Sequence, residues 1–267
     1  MATTTAADGT TIAYEQHGET KGASPTVVLV HGITEQQHNW DPIVDRLRAT
    51  HHVVTVDLRG HGASGQAASY DLAAMAGDVA AVIAAVGVER PHLVGHSLGG
   101  MVVTALGAAM PVSSIVNVDQ SLDLSAFKAQ VAPLQAMLED PASFPAVIAE
   151  LFDALAGALD GDERSRIEAL RRPDQRAVLG IWQLLFDLDE AAIAEVVDTA
   201  LAGYATNTAP YLALFGVDPG PEYGEWLTAR IPAAQVDVWD GLGHYPHLVS
   251  PDRFVATLET FWTSATS

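Results

Sequence analysis

Cysteine is absent from this sequence of 267 residues, and basic side chains are scarce. The lack of cysteine excludes disulfide bonds, thiolate metal sites and a cysteine nucleophile. Lysine and arginine together number 13, against 33 aspartates and glutamates, which gives a net charge of −20. Because nucleic acids and anionic membranes attract proteins through positive charge, we expect neither of them as a partner.

Long hydrophobic runs are also lacking. The amino-terminal stretch MATTTAADGTTIAY has no basic region followed by an apolar one, so the sequence predicts no signal peptide and a cytoplasmic location. No apolar run reaches the roughly 20 residues that a membrane-spanning helix needs. Histidine and the acidic residues show no metal-ligand spacing, and no glycine-rich phosphate loop stands out. We therefore expect neither a metal ion nor a cofactor.

What the sequence does contain is an alternation of strand and helix patterns. Hydrophobic residues make up 49% of the chain, enough for the core of one large domain with an insertion. Residues 26–30 (TVVLV) and 53–57 (VVTVD) are rich in β-branched residues and typical of strands buried on both faces. Strands that alternate with helices predict an α/β fold with a mostly parallel, doubly wound sheet.

A long helical insertion interrupts this alternation. The strand signal disappears between residues 121 and 207, and amphipathic helical patterns replace it. Within that stretch, residues 175–186 (QRAVLGIWQLLF) are apolar almost all round, as expected of a helix pressed between two layers. We predict that residues 1–120 and 208–267 form the core of the fold and that residues 121–207 form a helical cap.

The clearest chemical motif is the G-x-S-x-G of residues 95–99, which lies between a short apolar run and a helix-compatible segment. This order of strand, motif and helix is that of a nucleophile elbow. Gly95 and Gly99 lack a Cβ atom, so the backbone can turn sharply and expose the Ser97 hydroxyl. The same turn places the Leu98 N–H at a helix N-terminus, where the partial positive charge favours a developing oxyanion.

Five motifs, in this order, resemble the α/β-hydrolase fold superfamily over nearly the whole chain. They are VLVHG at 28–32, DLRGHGAS at 57–64, VGHSLGG at 94–100, LFGVDP at 214–219 and GLGHYPHLVSPDRF at 241–254. The resemblance is to a serine esterase or lipase-like member with a helical cap, and it implies a triad in the order Ser97, Asp218, His244. It also implies that the Ile33 N–H is the second oxyanion donor. His96 lies beside the nucleophile, and we expect it to pack under the oxyanion loop.

The acid of the triad has two candidates. Asp218 follows the strand after the insertion, in a Gly-x-Asp-Pro turn that matches the family's commoner acid position. Aspartate is also an ordinary residue of such turns. Asp119 follows the strand before the insertion and fits a variant in which the acid lies one strand earlier. We assign Asp218 and keep Asp119 as the alternative.

The expected function is hydrolysis of a carboxylic ester, either a small acyl ester or a lactone, through an acyl-enzyme on Ser97. We predict an apolar pocket lined from the cap by Trp182, Leu185 and Phe186, and a small apolar ester or lactone as the substrate. The same triad serves cofactor-free haloperoxidases, carbon–carbon bond hydrolases and lyases, which remain alternatives. A non-catalytic ligand-binding protein is a remote alternative. Haloalkane dehalogenases and epoxide hydrolases of this fold need a carboxylate at the position of Ser97, which counts against both activities.

Overall fold

The computed structural model describes residues 1–18 and 25–265, and within these ranges eight strands form one sheet. The strands are β1 (Ala2–Thr5), β2 (Thr11–His17), β3 (Thr26–Val30), β4 (His52–Val56), β5 (His92–His96), β6 (Ser114–Val118), β7 (Tyr211–Phe215) and β8 (Ala234–Val238).

Twelve α-helices accompany the sheet in the same described ranges. They are α1 (Asp41–Leu47), α2 (Leu72–Val86), α3 (Leu98–Ala109), α4 (Ser125–Val131), α5 (Gln135–Glu139), α6 (Phe144–Leu155), α7 (Gly161–Leu170), α8 (Gln175–Asp187), α9 (Glu190–Leu201), α10 (Tyr223–Thr228), α11 (Pro246–Val249) and α12 (Pro251–Ala265). Short 3₁₀ segments cover Gln37–Trp40, Ala132–Leu134 and Ala202–Ala205. None of the helices in the part of the chain that the structure describes is long and apolar enough to cross a membrane.

The strand order in the sheet is β1-β2-β4-β3-β5-β6-β7-β8. Strand β2 is antiparallel to its neighbours β1 and β4, whereas β3 to β8 all run parallel to one another. The predicted α/β fold with a mostly parallel, doubly wound sheet is therefore confirmed. Strand β5, which leads into the G-x-S-x-G motif, lies near the middle of the sheet between β3 and β6.

The β-branched runs form strands because both faces of the sheet are covered. Successive side chains of a strand point to opposite faces. Val28 packs in a hydrophobic cluster with Val79 of α2 and Leu106 of α3. Its neighbour Leu29 packs in a second cluster, with Leu47 of α1 and Leu258 of α12. Burial on both faces removes the need for polar residues along these strands.

The segment between β6 and β7 contains the helices α4 to α9, which are joined by loops and turns. Its helices contribute Ile148, Ile181 and Val197 to the larger of the two hydrophobic clusters. Because β6 and β7 are neighbours in the sheet, both ends of the segment meet the same region of the sheet. This placement agrees with the predicted division into core and cap domains, which remains a prediction.

A buried ion pair joins the loop after β4 to α2 and to the first hairpin. The Arg59 guanidinium donates from Nε and Nη2 to the two carboxylate oxygens of Asp78, at 2.6 and 2.7 Å. Its Nη1 donates to Asp8 at 3.0 Å. Burial raises the pKa of the Asp78 carboxyl, and the hydrogen bonds and charge of Arg59 oppose that rise. The two side chains are 2% and 0% exposed, so neither has water as a substitute partner.

Replacing Arg59 by methionine leaves the Asp78 carboxylate buried without a counter-charge. Breaking a buried pair in this way costs about 3–5 kcal/mol, and we expect the free energy of unfolding of Arg59→Met to fall by that amount. Urea denaturation measures the change. The matched control is Arg48→Met, because Arg48 pairs with Asp45 on the surface and its side chain is 58% exposed. Equal stabilities of the two variants would contradict the role assigned to Arg59.

Candidate active site

Ser97 lies on a strained turn between β5 and α3. Its φ of 51° and ψ of −125° put a non-glycine residue in a region that side chains with a Cβ rarely occupy. The two flanking glycines make this turn possible. A Cβ at Gly95 would overlap the carbonyl oxygen of Gly99, and a Cβ at Gly99 would overlap that of Val30 on β3. The sequence motif therefore forms the elbow that its glycines predict.

Strained residues cluster around this elbow. In the described ranges three non-glycine residues have positive φ: Thr34 at 65°, Ser97 at 51° and Asp119 at 53°. They follow β3, β5 and β6, which are adjacent in the sheet. Such strain costs on the order of 1–3 kcal/mol per residue and tends to occur at functional sites. The backbone conformation alone thus indicates a candidate functional site at the carboxyl ends of these three strands.

The two expected oxyanion donors face a common space with the serine. Ile33, Ser97 and Leu98 all line one cavity. Neither the Ile33 N–H nor the Leu98 N–H donates a hydrogen bond to a residue in 1–18 or 25–265. Leu98 is the first residue of α3, so its N–H belongs to the unpaired group at a helix N-terminus. Both N–H groups therefore lack an acceptor within these ranges and belong to residues that line the cavity.

His244 is hydrogen-bonded to Asp119. The distance from Nδ1 of His244 to Oδ2 of Asp119 is 2.6 Å, and both side chains are largely buried. Oδ1 of Asp119 accepts from the Gly216 N–H at 2.7 Å. Burial raises the pKa of the Asp119 carboxyl, but the hydrogen bond and charge of His244 and the Gly216 N–H outweigh it and hold that pKa below its usual value. The contact occupies Nδ1 of His244 and leaves Nε2 for other partners.

The expected pairing of Asp218 with His244 is corrected by this geometry, which places Asp119 there instead. Asp218 is exposed, and its Oδ1 accepts from the Gly220 N–H at 2.8 Å within its own turn. The reason lies in the loop after β7. Its first residues, Gly216 and Val217, direct their N–H groups to Asp119 and so leave Asp218 to close the following turn.

The His244 loop is held from two sides. The His244 N–H donates to the carbonyl of Leu155 at the end of α6, at 3.1 Å. Its own carbonyl accepts from Nε2 of His96, the residue before the nucleophile, at 2.8 Å. Preceding it, Gly243 has φ of 74° and donates to the Gly216 carbonyl. The loop is thus tied to the helical segment, to the elbow and to the loop after β7.

Glu35 is a site residue that the sequence analysis did not single out. Its Oε2 accepts from the Gly32 N–H at 2.9 Å and from Nδ1 of His96 at 3.2 Å. The side chain is buried, although it belongs to a polar stretch (TEQQHN) that reads as an exposed loop. His96 packs beside the oxyanion loop, as expected, but it does so as half of a carboxylate–histidine pair.

The cavity beside Ser97 has a volume of about 450 Å³. Met101 of α3 contributes to its wall from the sheet side, and Phe127, Trp182 and Leu185 contribute from the helical segment. The rings of Phe127 and Trp182 meet edge to face, with centroids 5.6 Å apart. The lining is largely apolar and comes from both parts of the chain.

Two of the three predicted pocket residues line this cavity, and the third does not. Trp182 and Leu185 lie on its wall. Phe186 packs, partly buried, against the larger hydrophobic cluster, which corrects its assignment to the pocket. One residue along an α-helix turns the side chain by about 100°, so Phe186 leaves the face that carries Leu185.

No group of three or more His, Cys, Asp or Glu residues in the described part of the chain is placed to hold a metal ion. Two of the histidines at this end of the sheet are paired with carboxylates, His244 with Asp119 and His96 with Glu35.

A mostly parallel sheet that presents a serine on a strand-to-helix elbow, with a histidine and an acid on later loops, is characteristic of the α/β-hydrolases. The sequence agrees with this class. Residues 27–257 match the model of the alpha/beta hydrolase family, and the chain belongs to that family.

Several relatives are named hydrolases. The chain is 30% identical over 254 residues to a pimeloyl-[acyl-carrier protein] methyl ester esterase of Neisseria meningitidis serogroup B, covering 88% of this chain and 92% of that one. The structure is similar to an esterase from Rhodococcus sp. ECU1013, with a TM-score of 0.75 and 28% identity over 99% of this chain and 98% of the other. An enol-lactonase from Burkholderia xenovorans LB400 has a TM-score of 0.75 at 22% identity, covers 98% and 100% of the two chains, and shares the fold.

The close approach at Gly99 can be tested by adding one methyl group. Because the Cβ of Gly99→Ala would overlap the backbone of β3, the strand or the elbow must move. We expect the free energy of unfolding to fall by about 1–3 kcal/mol or more, measured by urea denaturation. Gly77→Ala is the control, since a Cβ there meets open space within α2. That variant should gain about 0.5–1 kcal/mol, and a Gly99→Ala variant as stable as wild type would refute the close approach.

Proposed function

We propose that this protein is a cofactor-independent serine hydrolase that cleaves small carboxylic esters or lactones. Ser97 is the nucleophile, His244 the general base and acid, and Asp119 the residue that orients His244. The observation that carries the proposal is the 2.6 Å hydrogen bond from His244 to Asp119, on loops adjacent to a strained serine elbow. The ester hydrolases among the relatives support the same reaction class.

In the first half of the reaction, Nε2 of His244 takes the Ser97 proton while Oγ attacks the ester carbonyl. The Asp119 carboxylate keeps the imidazole in the tautomer with its proton on Nδ1 and stabilises the imidazolium that forms. The N–H groups of Leu98 and Ile33 bind the oxyanion of the tetrahedral intermediate. When that intermediate collapses, the alcohol leaves with the proton from His244 and the acyl group stays on Ser97.

In the second half, a water molecule takes the place of the alcohol. His244 removes one of its protons as the oxygen attacks the acyl carbon, and the same two N–H groups bind the second oxyanion. Collapse returns the proton to Ser97 and releases the carboxylic acid. The groups required are on this chain, so the cycle needs no metal ion and no cofactor.

The cavity supports a small, neutral and largely apolar substrate. A volume of about 450 Å³ lies at the lower end of ordinary ligand pockets and suits a short acyl chain or a lactone. Among its described lining residues the charged ones are Asp71 and Asp187, both acidic. A substrate with a free carboxylate would be repelled there, whereas an uncharged ester would not.

The alternatives receive less support. Haloperoxidase, carbon–carbon bond hydrolase and lyase chemistry could use the same three residues, but the relatives quoted above carry the names of esterases and a lactonase. A ligand-binding protein without catalysis would not need the backbone strain at Ser97 and Asp119. Nor would it need the hydrogen bond between His244 and the buried carboxylate of Asp119.

Ser97→Ala should abolish turnover while the protein remains folded, because the change removes only the hydroxyl group. The expected loss in kcat for hydrolysis of p-nitrophenyl butyrate is on the order of 10⁴ or more, by analogy with other triads. A serine-directed phosphonate should label the wild type at Ser97 alone, as located by peptide mass spectrometry. Full activity in the variant, or labelling at another serine, would rule out this mechanism.

Asp119→Asn and Asp218→Asn separate the two acids by a matched change. Asparagine at 119 keeps the shape but removes the charge that orients His244, a loss worth about 10⁴ in kcat in a well-studied triad. Asp218 is exposed and contacts its own turn, so Asp218→Asn should leave kcat near the wild-type value. Steady-state kinetics with folding checked by circular dichroism decide the matter. The reverse ranking of the two variants would restore Asp218 as the acid.

A further inference from the structure

A continuous chain of hydrogen bonds runs beneath the serine from the oxyanion loop to the His244 loop. The Gly32 N–H donates to Oε2 of Glu35 at 2.9 Å, and Nδ1 of His96 lies 3.2 Å from the same oxygen. Nε2 of His96 then donates to the His244 carbonyl at 2.8 Å. The Glu35 and His96 side chains are 2% and 1% exposed, so water does not compete for these contacts.

The contacts determine where the protons are. The His244 carbonyl can only accept, so Nε2 of His96 carries a proton. Burial lowers the pKa of His96, but the Glu35 charge and hydrogen bond outweigh it and raise that pKa above its usual value. Burial raises the pKa of Glu35, and the His96 imidazole reverses this shift, so that its pKa falls well below its usual range. The two side chains therefore form an imidazolium–carboxylate ion pair.

One end of this chain of hydrogen bonds lies at a strained loop. Thr34 has φ of 65° although it is β-branched, and it lies between the oxyanion donor Ile33 and Glu35. The Glu35 carboxylate fixes the peptide unit before Gly32 by accepting a hydrogen bond from the Gly32 N–H. On the other side of Gly32, its carbonyl accepts from Nδ1 of His31 at 2.7 Å. Because the C=O and N–H of one trans peptide unit point in opposite directions, holding this carbonyl also directs the Ile33 N–H.

The other end of the chain of hydrogen bonds lies at the loop that carries His244, the proposed general base. The His244 carbonyl is the acceptor of His96, and the His244 ring carries the Asp119 contact. Neither Glu35 nor His96 lines the substrate cavity. Their removal would therefore disturb the position of the reacting groups more than the surface that binds the substrate.

We propose that the buried Glu35–His96 pair is a positioning device, which sets the Ile33 oxyanion donor and the His244 loop in the arrangement that the transition state requires. This inference rests on the proposed function, because it assigns the pair to the same catalytic cycle. Interactions that act only in the transition state change kcat and leave substrate binding nearly unaltered.

The test compares Glu35→Gln with wild type. Glutamine keeps the size and one acceptor oxygen for Gly32 but removes the charge that holds His96. With p-nitrophenyl butyrate we expect kcat to fall roughly 10- to 100-fold, which is no more than the loss seen when one oxyanion donor is removed outright, while KM changes less than about threefold. Affinity for an alkyl boronic acid, which mimics the tetrahedral intermediate, should fall in parallel with kcat/KM.

A surface pair of the same chemistry is the matched control. Asp41 lies 3.3 Å from Nδ1 of His38, and both side chains are exposed. Asp41→Asn should leave kcat, KM and boronic acid affinity unchanged. If Glu35→Gln does not fold, Glu35→Asp replaces it. Its carboxylate keeps the charge but is one methylene shorter, which weakens the contacts with Gly32 and His96, so a fall in kcat with an unchanged KM is again expected. An unchanged kcat in the folded variant, or a rise in KM alone, would overturn the proposal.

A double-mutant cycle shows whether the two residues act through each other. For one positioning unit, the double variant should lose about as much kcat as Glu35→Gln, rather than the product of the single losses. His96→Gln alone should lose more, because it leaves the buried Glu35 charge without its partner. Multiplicative losses would show two independent roles and overturn the proposal. Labelling of wild-type Ser97 by the phosphonate in the same experiment separates this outcome from a failure of the proposed function, because an unlabelled wild type refutes the hydrolase mechanism itself.

Discussion

The site depends on one constraint, the turn that lifts Ser97 off the end of β5. Its positive φ can persist only because the surrounding backbone leaves no alternative. The two glycines let β5, α3 and β3 approach closer than any Cβ would permit. Since β3 and β6 flank β5 in parallel, their carboxyl ends lie beside the serine. Ile33 follows the first of these ends and Asp119 the second, so the strand order assembles most of the candidate site.

The same principle explains why strain occurs three times. Thr34, Ser97 and Asp119 each turn the chain sharply at the end of one of these adjacent strands, where an ordinary extended exit would carry the side chain away from the edge. Each turn is then held by hydrogen bonds from a different part of the chain. Glu35, held by His96, accepts from the Gly32 N–H two residues before Thr34. The Ser97 N–H donates to the Val118 carbonyl of β6, and the Gly216 N–H and His244 bind the carboxylate of Asp119. Distant residues thus stabilise conformations that are locally unfavourable.

Local patterns in the sequence were sufficient for the fold and for the turn at Ser97, because buried parallel strands and a glycine-flanked serine have distinctive compositions. They were insufficient for the hydrogen-bond partner of His244, since Asp119 and Asp218 both follow apolar strands and only the path of the loop after β7 distinguishes them. Glu35 escaped notice because a glutamate in a polar stretch reads as solvent-exposed, whereas its burial depends on a histidine 61 positions later. Phe186 shows the same limit, because the apolar pattern of its helix does not say which face meets the cavity.

Charge balance gives the Glu35–His96 pair a further physical role. A Cβ on Gly32 would lie 3.0 Å from Oε2 of Glu35 and 3.1 Å from the Cβ of Ser97, so this carboxylate is close to the place where an oxyanion would form. An unpaired carboxylate in that position would repel the oxyanion of the proposed mechanism, because like charges in a buried site are poorly screened. The imidazolium of His96 balances that charge, so in the proposed mechanism the Glu35 carboxylate can bind the Gly32 N–H without opposing the oxyanion.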